Sequence, residues 1–212
     1  MNEETTRAIE LQQFESLIEG LLTTGYGCCD EFLDELQVEG LRNRLLSFHP
    51  EELEEAGIGK AFLFQKEKSI RGDQIHWIEP ETIDPFEVAY FEKLDRFIAY
   101  LNRTCYTAIN DKEIHYAKYP KGTFYKRHLD QFKIDNGRVF SVIIYLNDNW
   151  TENDGGEIGL YFGEEVKKLQ PIGGRMIFFK SDEIEHEVFP SNTRNRLSLT
   201  GWLKSVNSAV VI

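Results

Sequence analysis

From Ile9 to Leu22 the apolar positions Ile9, Leu11, Phe14, Leu17, Ile18, Leu21 and Leu22 recur at three- and four-residue steps. That spacing predicts an amphipathic helix, ended by Thr23 to Gly27. A short apolar segment, Tyr26 to Phe32, leads to a second predicted helix over Leu33 to Phe48. A third spans Pro85 to Asn102, with Phe86, Ala89, Tyr90, Leu94, Phe97, Ile98 and Leu101 as its buried stripe. Pro85 suits a first helical turn, where a missing N–H costs little.

After Asn110 the period drops to two, and β-branched and aromatic residues dominate. The predicted strands are Ile114 to Tyr119, Tyr125 to Asp130, Val139 to Leu146, Glu157 to Phe162, Arg175 to Phe179, Glu185 to Pro190 and Arg196 to Leu203. Turns are expected at Asp135-Asn136-Gly137, Asp154-Gly155-Gly156 and Gly173-Gly174. Helices followed by strands predict an α+β chain, a β-sandwich or barrel buttressed by helices. No repeat, low-complexity tract or linker divides it, so residues 1–212 are expected to form one domain, with a helical layer over about 1–110 and a β core over about 111–204.

Lys plus Arg number 24 against 36 Asp plus Glu, a formal charge of −12. Such a balance argues against a binder that covers nucleic-acid phosphates with cations. No apolar run is long enough for a membrane span, and MNEETTRAIELQQ is acidic where a signal peptide would be basic, so a cytoplasmic protein with no membrane partner is expected. Three cysteines, with Cys28 and Cys29 adjacent and Cys105 distant, form neither a disulfide framework nor a CxxC metal pair. Cys28 and Cys29 are expected to be small buried hydrophobes in a strand, and the acidic run Glu51 to Gly57 a solvated turn or short helix.

The chemically informative residues are His128 and Asp130 in YKRHLDQF and His186 in IEHEVFP. On a strand, side chains at i and i+2 share a face, so His128 and Asp130 are expected to hold one ion from the same side, with His186 from another strand. Two imidazoles and one carboxylate on one face are the arrangement of non-haem Fe(II) oxygenases, although ligand softness alone does not select iron. A lone His-x-Asp is weak in a chain with five histidines. Arg196 strengthens it: in RLSLTGWL, Arg196, Ser198, Thr200 and Trp202 share one face and Leu197, Leu199 and Leu203 the other. An inward-pointing Arg demands an anion, and its fork suits a dicarboxylate whose other end chelates the metal. Val139, Ser141, Ile143 and Tyr145 share a face of their strand, so Tyr145 could place a hydroxyl beside Arg196.

Taken together, YPKGTFYKRHLDQF, SVIIYLNDNW with its GGE turn, HEVFP and RLSLTGWL resemble the Fe(II)- and 2-oxoglutarate-dependent oxygenases, specifically the hypoxia-inducible-factor-type prolyl 4-hydroxylases and their bacterial relatives. IRGDQIHWIEP is similar to the mobile loop and strand that this group places over its active site, so the resemblance covers about residues 65 to 204. It implies a double-stranded β-helix (jelly-roll, cupin-like) core. It also implies Fe(II) held by His128, Asp130 and His186, and a 2-oxoglutarate carboxylate held by Arg196 with Tyr145 and Thr200, Tyr119 lying near the chelating end. Arg71, Asp73 and Arg138 match the substrate-covering loop and entrance, with an Asp73 to Arg138 pair expected, Gly72 permitting the loop's bend, and Trp202 lining the peptide entrance.

The implied reaction is hydroxylation of a peptidyl proline at C4 with O2 as co-substrate, stimulated by ascorbate, in a monomer whose protein substrate in the bacterial branch is elongation factor Tu. An oxygenase acting on another residue or a free amino acid, or a non-catalytic cupin-like metal or oxygen sensor, are the other readings. His49, His76 and His115 fall in no ligand position and are taken as structural.

Two departures set the chain apart from the animal enzymes. The interval from His186 to Arg196 is one residue longer, so SNTRN must bulge, and alternation leaves Arg194 as a rival for the anion. The tail SVNSAVVI is too short for the C-terminal helix those enzymes use in substrate selection.

Overall fold

The computed structural model describes residues 3–56, 70–131 and 137–206. The turn at Asp135-Asn136 and all but Ser205 and Val206 of the tail lie outside those residues, as does Gly57. Among the described residues three α-helices lie in the first half of the chain: α1 over Glu3–Thr24, α2 over Glu35–Ser47 and α3 over Pro85–Cys105. Asp34 caps α2 by accepting from the Gln37 N–H, and Asp84 caps α3 by accepting from Phe86 and Glu87, ahead of Pro85 in the first turn.

The described residues also hold eleven strands, which follow or interleave: β1 Tyr26–Cys29, β2 Glu54–Glu55, β3 Gln74–Trp77, β4 Asp111–Tyr119, β5 Tyr125–His128, β6 Arg138–Tyr145, β7 Ile158–Phe162, β8 Glu165–Leu169, β9 Met176–Lys180, β10 His186–Val188 and β11 Arg196–Lys204. They make a seven-stranded antiparallel sheet, β1-β9-β6-β11-β4-β3-β2, facing a four-stranded one, β5-β10-β7-β8. Strand β8 escaped the sequence pattern because EVKKL is exposed along its first four positions and carries no buried alternation. Cys28 and Cys29 lie in β1 as expected, Cys29 buried and Cys28 partly so.

The larger sheet is covered on both faces, and its period-two sequence sorts side chains between two cores. Val142 and Ile144 of β6, Phe178 of β9, and Leu197, Leu199 and Leu203 of β11 pack with Phe14, Leu17, Leu41, Leu94 and Phe97 of the helices. The alternate residues Ile143, Tyr145, Ile177 and Phe179 turn the other way and pack with Ile158 and Leu160 of the small sheet. At about 25 cal/mol per Å2 of apolar surface buried, these two layers dominate the stability. Gly27 lets α1 approach β1, since a Cβ there would lie 2.4 Å from the Leu17 carbonyl oxygen. Polar residues on the inner face of the larger sheet thereby end up between the sheets, away from bulk water.

Candidate active site

His128 at the end of β5 and His186 at the start of β10 are direct cross-strand partners, with ring centroids 4.2 Å apart. Each spends its Nδ1 on the carbonyl two residues earlier, His128 on Lys126 at 2.7 Å and His186 on Ile184 at 3.2 Å. With Nδ1 donating, the Nε2 lone pair of both rings is left for the centre. Both Nε2 atoms lie 3.5 Å from the Asp130 carboxylate, one at each oxygen. Ligand atoms of all three residues fall within 4.8 Å of one another, a spacing one cation could bridge. Burial pushes the His186 imidazole down to about 4, against the pull of Asp130, so it is neutral and ready to ligate at physiological pH.

Asp130 reaches this point by a different route from the one alternation predicts. Strand β5 ends at His128, and Asp130 sits in the bend beyond it. Its carboxylate accepts from Ser141 Oγ of β6 at 2.6 Å, and Ser141 contacts Ser181 Oγ at 2.9 Å. The backbone is pinned as well: Arg138 donates to the Asp130 carbonyl at 3.1 Å, and the Gln131 N–H donates to Ser181 at 3.1 Å. Burial alone would raise the Asp130 carboxyl, but His186, His128 and the Ser141 hydroxyl outweigh it and hold the group well below the usual carboxylate range. Ser141 was legible in the sequence only as a residue of the right face; its attachment to Asp130 and Ser181 needed the sheet register.

The triad lines a cavity of about 190 Å3 that also receives Tyr119, Thr200, Arg138, Trp202 and Arg196. Arg196 is 1% exposed, its guanidinium 5.0 Å from the Tyr119 ring centre and 4.9 Å from that of Tyr145. Its Nε donates to the Gly156 carbonyl at 3.0 Å and Nη1 meets Ser198 Oγ at 3.4 Å, but no carboxylate pairs with it among the described residues. Tyr145, fully buried beside that guanidinium, has its hydroxyl in hydrogen-bond geometry with no described group. Gly156, at φ +70°, allows the close passage: a Cβ there would press on Trp150 at 3.2 Å and on Arg196 at 3.4 Å.

Arg194 is no rival for the cavity. Alternation does not reach it, because Ser191 to Asn195 form the bulge and β11 begins only at Arg196. Its guanidinium donates to the Asn149 carbonyl at 2.7 Å and reaches Asp154 at 3.4 Å.

The expected Asp73 to Arg138 pair is also replaced. Asp73, its side chain wholly buried, takes both Nε and Nη2 of Arg71 at 2.8 and 2.6 Å. Arg138 instead lies 3.4 Å over the Trp202 ring and 3.5 Å from Glu113. The two-residue spacing within Arg71-Gly72-Asp73 offers a closer bidentate partner than Arg138 of β6, which β11 and β4 separate from β3. Gly72 is needed for room and not for a left-handed bend, since a Cβ would meet Thr123 at 2.8 Å and its φ is not positive. Arg71 covers the Tyr125 ring at 4.2 Å, and Tyr125 stacks on His128 at 3.6 Å, so the Arg71 loop is tied to a triad member.

Two cavity residues had been given no place in the site from the sequence. His115 of β4 and Trp77 of β3 are cross-strand neighbours with ring centroids 4.7 Å apart, and both line the cavity. His115 could have been found by alternation, since it lies four residues before Tyr119 on the same strand face.

A metal and a dicarboxylate suit this arrangement: two imidazole Nε2 atoms and a carboxylate converge at one end, and a buried guanidinium without an acidic partner stands at the other. Residues 114–204 match the 2OG-Fe(II) oxygenase superfamily. The chain is 30% identical over 203 residues to human prolyl hydroxylase EGLN3, covering 92% of this chain and 84% of the human protein. Among solved structures, a Pseudomonas putida prolyl-4-hydroxylase shares 33% identity with a TM-score of 0.81, covering 91% of this chain and 99% of that one. A Trichoplax adhaerens prolyl hydroxylase, solved with a peptide of the hypoxia inducible factor oxygen degradation domain, shares 26% identity with a TM-score of 0.83, covering 97% and 94%. The double-stranded β-helix, the convergent site and these likenesses together make the chain a member of the 2-oxoglutarate and Fe(II)-dependent oxygenases, a dioxygenase of prolyl hydroxylase type that uses Fe(II), 2-oxoglutarate and O2.

Proposed function

We propose that the protein hydroxylates C4 of a proline within a protein substrate, using His128, Asp130 and His186 to hold Fe(II) and Arg196, Tyr145 and Thr200 to hold the far carboxylate of 2-oxoglutarate, with Tyr119 near its chelating end. The observation that carries the reading is the fully buried Arg196 guanidinium, with no carboxylate partner among the described residues, in the cavity that the triad lines. With O2 as the oxidant, bound Fe(II) would supply the redox chemistry: 2-oxoglutarate would be oxidised to succinate and carbon dioxide, taking up one oxygen atom, and the other would pass to the proline.

The chain's own work is positioning. His128 and His186 keep Nε2 free by donating from Nδ1, and Ser141 holds one oxygen of Asp130, leaving the other for the ion. Arg196 orients the dicarboxylate bidentately in a dry site, where the charge pair is strong. Tyr145 adds a hydroxyl that burial holds above its ordinary value, so it remains a donor. Trp202 and Arg138 form the substrate wall, while Arg71 and Asp73 stiffen the segment beside Tyr125.

The likeness to a Pseudomonas prolyl-4-hydroxylase supports the 4-position. A loop proline of elongation factor Tu is the first substrate to try, on the resemblance of the sequence motifs to the bacterial branch. We further read residues 1–212 as one domain, acting as a cytoplasmic monomer with no membrane or nucleic-acid partner and stimulated by ascorbate. No helix among the described residues is long and apolar enough to cross a membrane.

Anaerobic titration with Fe(II) and 2-oxoglutarate should produce the metal-to-ligand charge-transfer band of a chelated co-substrate. Absence of the band at confirmed iron occupancy would remove the co-substrate assignment. Mass spectrometry of elongation factor Tu after turnover should then show one added oxygen on a proline. Succinate formation that this factor does not stimulate would retire it as the substrate.

A further inference from the structure

Four neighbouring strands of the larger sheet, β6-β11-β4-β3, contribute Arg138, Trp202, His115 and Trp77 to one corner of the cavity. Among the described residues six buried side-chain polar atoms lack a hydrogen-bond partner, and three of them belong to this corner: His115 Nδ1, Arg138 Nε and Trp202 Nε1. A buried polar group left unpaired is costly, so a cluster of three is the mark of a site that a ligand completes. His115 is 4% exposed and forms a triangle of rings with two indoles, its centroid 4.7 Å from Trp77 and 5.6 Å from Trp202, which are 6.2 Å from each other. Trp77 itself is 41% exposed and forms the open rim.

The chemistry of the corner names its ligand. Arg138 Nε and Trp202 Nε1 can only donate, so the partner must accept. The Arg138 charge is already met by Glu113 at 3.5 Å, and the Lys204 ammonium is taken by Asp111 and Glu113, so the corner offers no excess positive charge to an anion. Flat aromatic walls and donors without surplus charge fit an amide carbonyl. Burial pushes the His115 imidazole down to about 4, although Asp73 and Asp130 pull it up, so the ring is neutral and keeps one donor and one acceptor.

We propose that His115 is a substrate-positioning residue, which hydrogen-bonds the backbone carbonyl of a residue flanking the target proline in the corner that Trp202 and Arg138 also line. The inference rests on the peptidyl-proline reading above and deepens it. His115 faces Thr200 across the strand pair, so the same sheet row that anchors the co-substrate also registers the peptide backbone against it. Recognition of a backbone carbonyl makes this corner a reader of the chain path around the proline and not of a particular side chain.

The test uses a library of peptides with one fixed proline and randomised flanks, incubated with the iron-loaded enzyme, 2-oxoglutarate and O2, with proline oxidation read by mass spectrometry. The peptide with the lowest KM is then remade with each flanking amide replaced in turn by an ester, which weakens that carbonyl as an acceptor. Wild type should lose about tenfold in kcat/KM at one ester position, while His115→Phe, which keeps the ring volume, starts about tenfold lower and is insensitive to that ester. His115→Gln should restore part of the peptide KM, and 2-oxoglutarate affinity should stay within about twofold throughout. Equal ester sensitivity in wild type and His115→Phe would overturn the proposal while leaving the prolyl hydroxylase reading intact. Should His115→Phe fail to fold, equal ester sensitivity in wild type and His115→Gln, neither showing a position-specific loss, would overturn it too. If wild type oxidises no library member although 2-oxoglutarate still binds, the peptide reading falls and takes this inference with it.

Discussion

The two ends of the cavity are finished to different degrees by the protein itself. At the triad, both Nδ1 atoms, one Asp130 oxygen and the Asp130 backbone are committed to protein partners, so what remains is directed at a single point. Toward Arg196 and His115 the opposite holds: Tyr145 Oη, His115 Nδ1, Trp202 Nε1 and Arg138 Nε are buried and unpaired, and Arg196 has no acid beside it among the described residues. The first end is preorganised for a small ion that takes three ligands. The second is built to be completed by larger molecules that bring their own hydrogen-bonding groups.

That contrast orders the expected effects of substitution. Removing a triad member should cost most, because nothing else in the cavity replaces an ion ligand. His128→Ala or Asp130→Ala should lower succinate formation by at least about a thousandfold, several kcal/mol in the barrier, with iron stoichiometry falling in parallel. Retention of full iron binding by both variants would break the assignment of that end. Arg196→Ala should leave iron binding intact and weaken 2-oxoglutarate about a hundredfold, as expected for truncating one partner of a buried charge pair, read from the charge-transfer titration. If Arg196→Ala binds the co-substrate normally, the second end is something other than an anion site.

A smaller effect sharpens the first end. Ser141→Ala should weaken Fe(II) about tenfold, the usual scale for losing a hydrogen bond to a metal ligand, and Ser141→Thr should recover most of it. Competitive metal titration reads the change without any peptide. Unaltered affinity in Ser141→Ala would mean that Asp130 is held by its backbone contacts alone.

How far these ends were legible from the sequence differs for a physical reason. Period and turn residues located the three helices and seven of the strands, most of which bury a stripe, although β5 has no fully buried position; β8 did not appear since it buries almost nothing. Within β11 alternation separated Arg196, Ser198, Thr200 and Trp202 from the leucines correctly, the strand keeping its register as far as Leu203. It failed just outside strand ends. Asp130 lies past the end of β5 and Arg194 before the start of β11, so both were given strand faces they do not have. The Arg71 to Asp73 pairing and the role of Ser141 depend on which strands are neighbours, which no local pattern encodes. His115 was set aside because it matched no ligand spacing, whereas its distinction is an unpaired atom that only the packed corner defines.

The smallest effect near neutrality concerns protons, and it separates the two ends by a route independent of turnover. Burial places the folded-state values of His115 and His186 at about 4, below the ordinary histidine value of 6.5. For a depressed histidine the unfolded chain takes up the proton first. Stability is therefore whole above about 6.5 and is lost as pH falls toward about 4. At pH 6 the loss is about 1 kcal/mol per histidine, growing at lower pH, and denaturant unfolding of chelator-treated protein should show it. His115→Phe should remove one share of that slope whether or not iron is present. The His186 share should instead change character on loading with iron, because there the metal competes with the proton for Nε2. A His115→Phe variant with the same pH slope as wild type would mean that His115 titrates as an ordinary exposed histidine. The corner would then be wet and its polar atoms satisfied by water, and the contrast between a finished and an unfinished end would lose its second half.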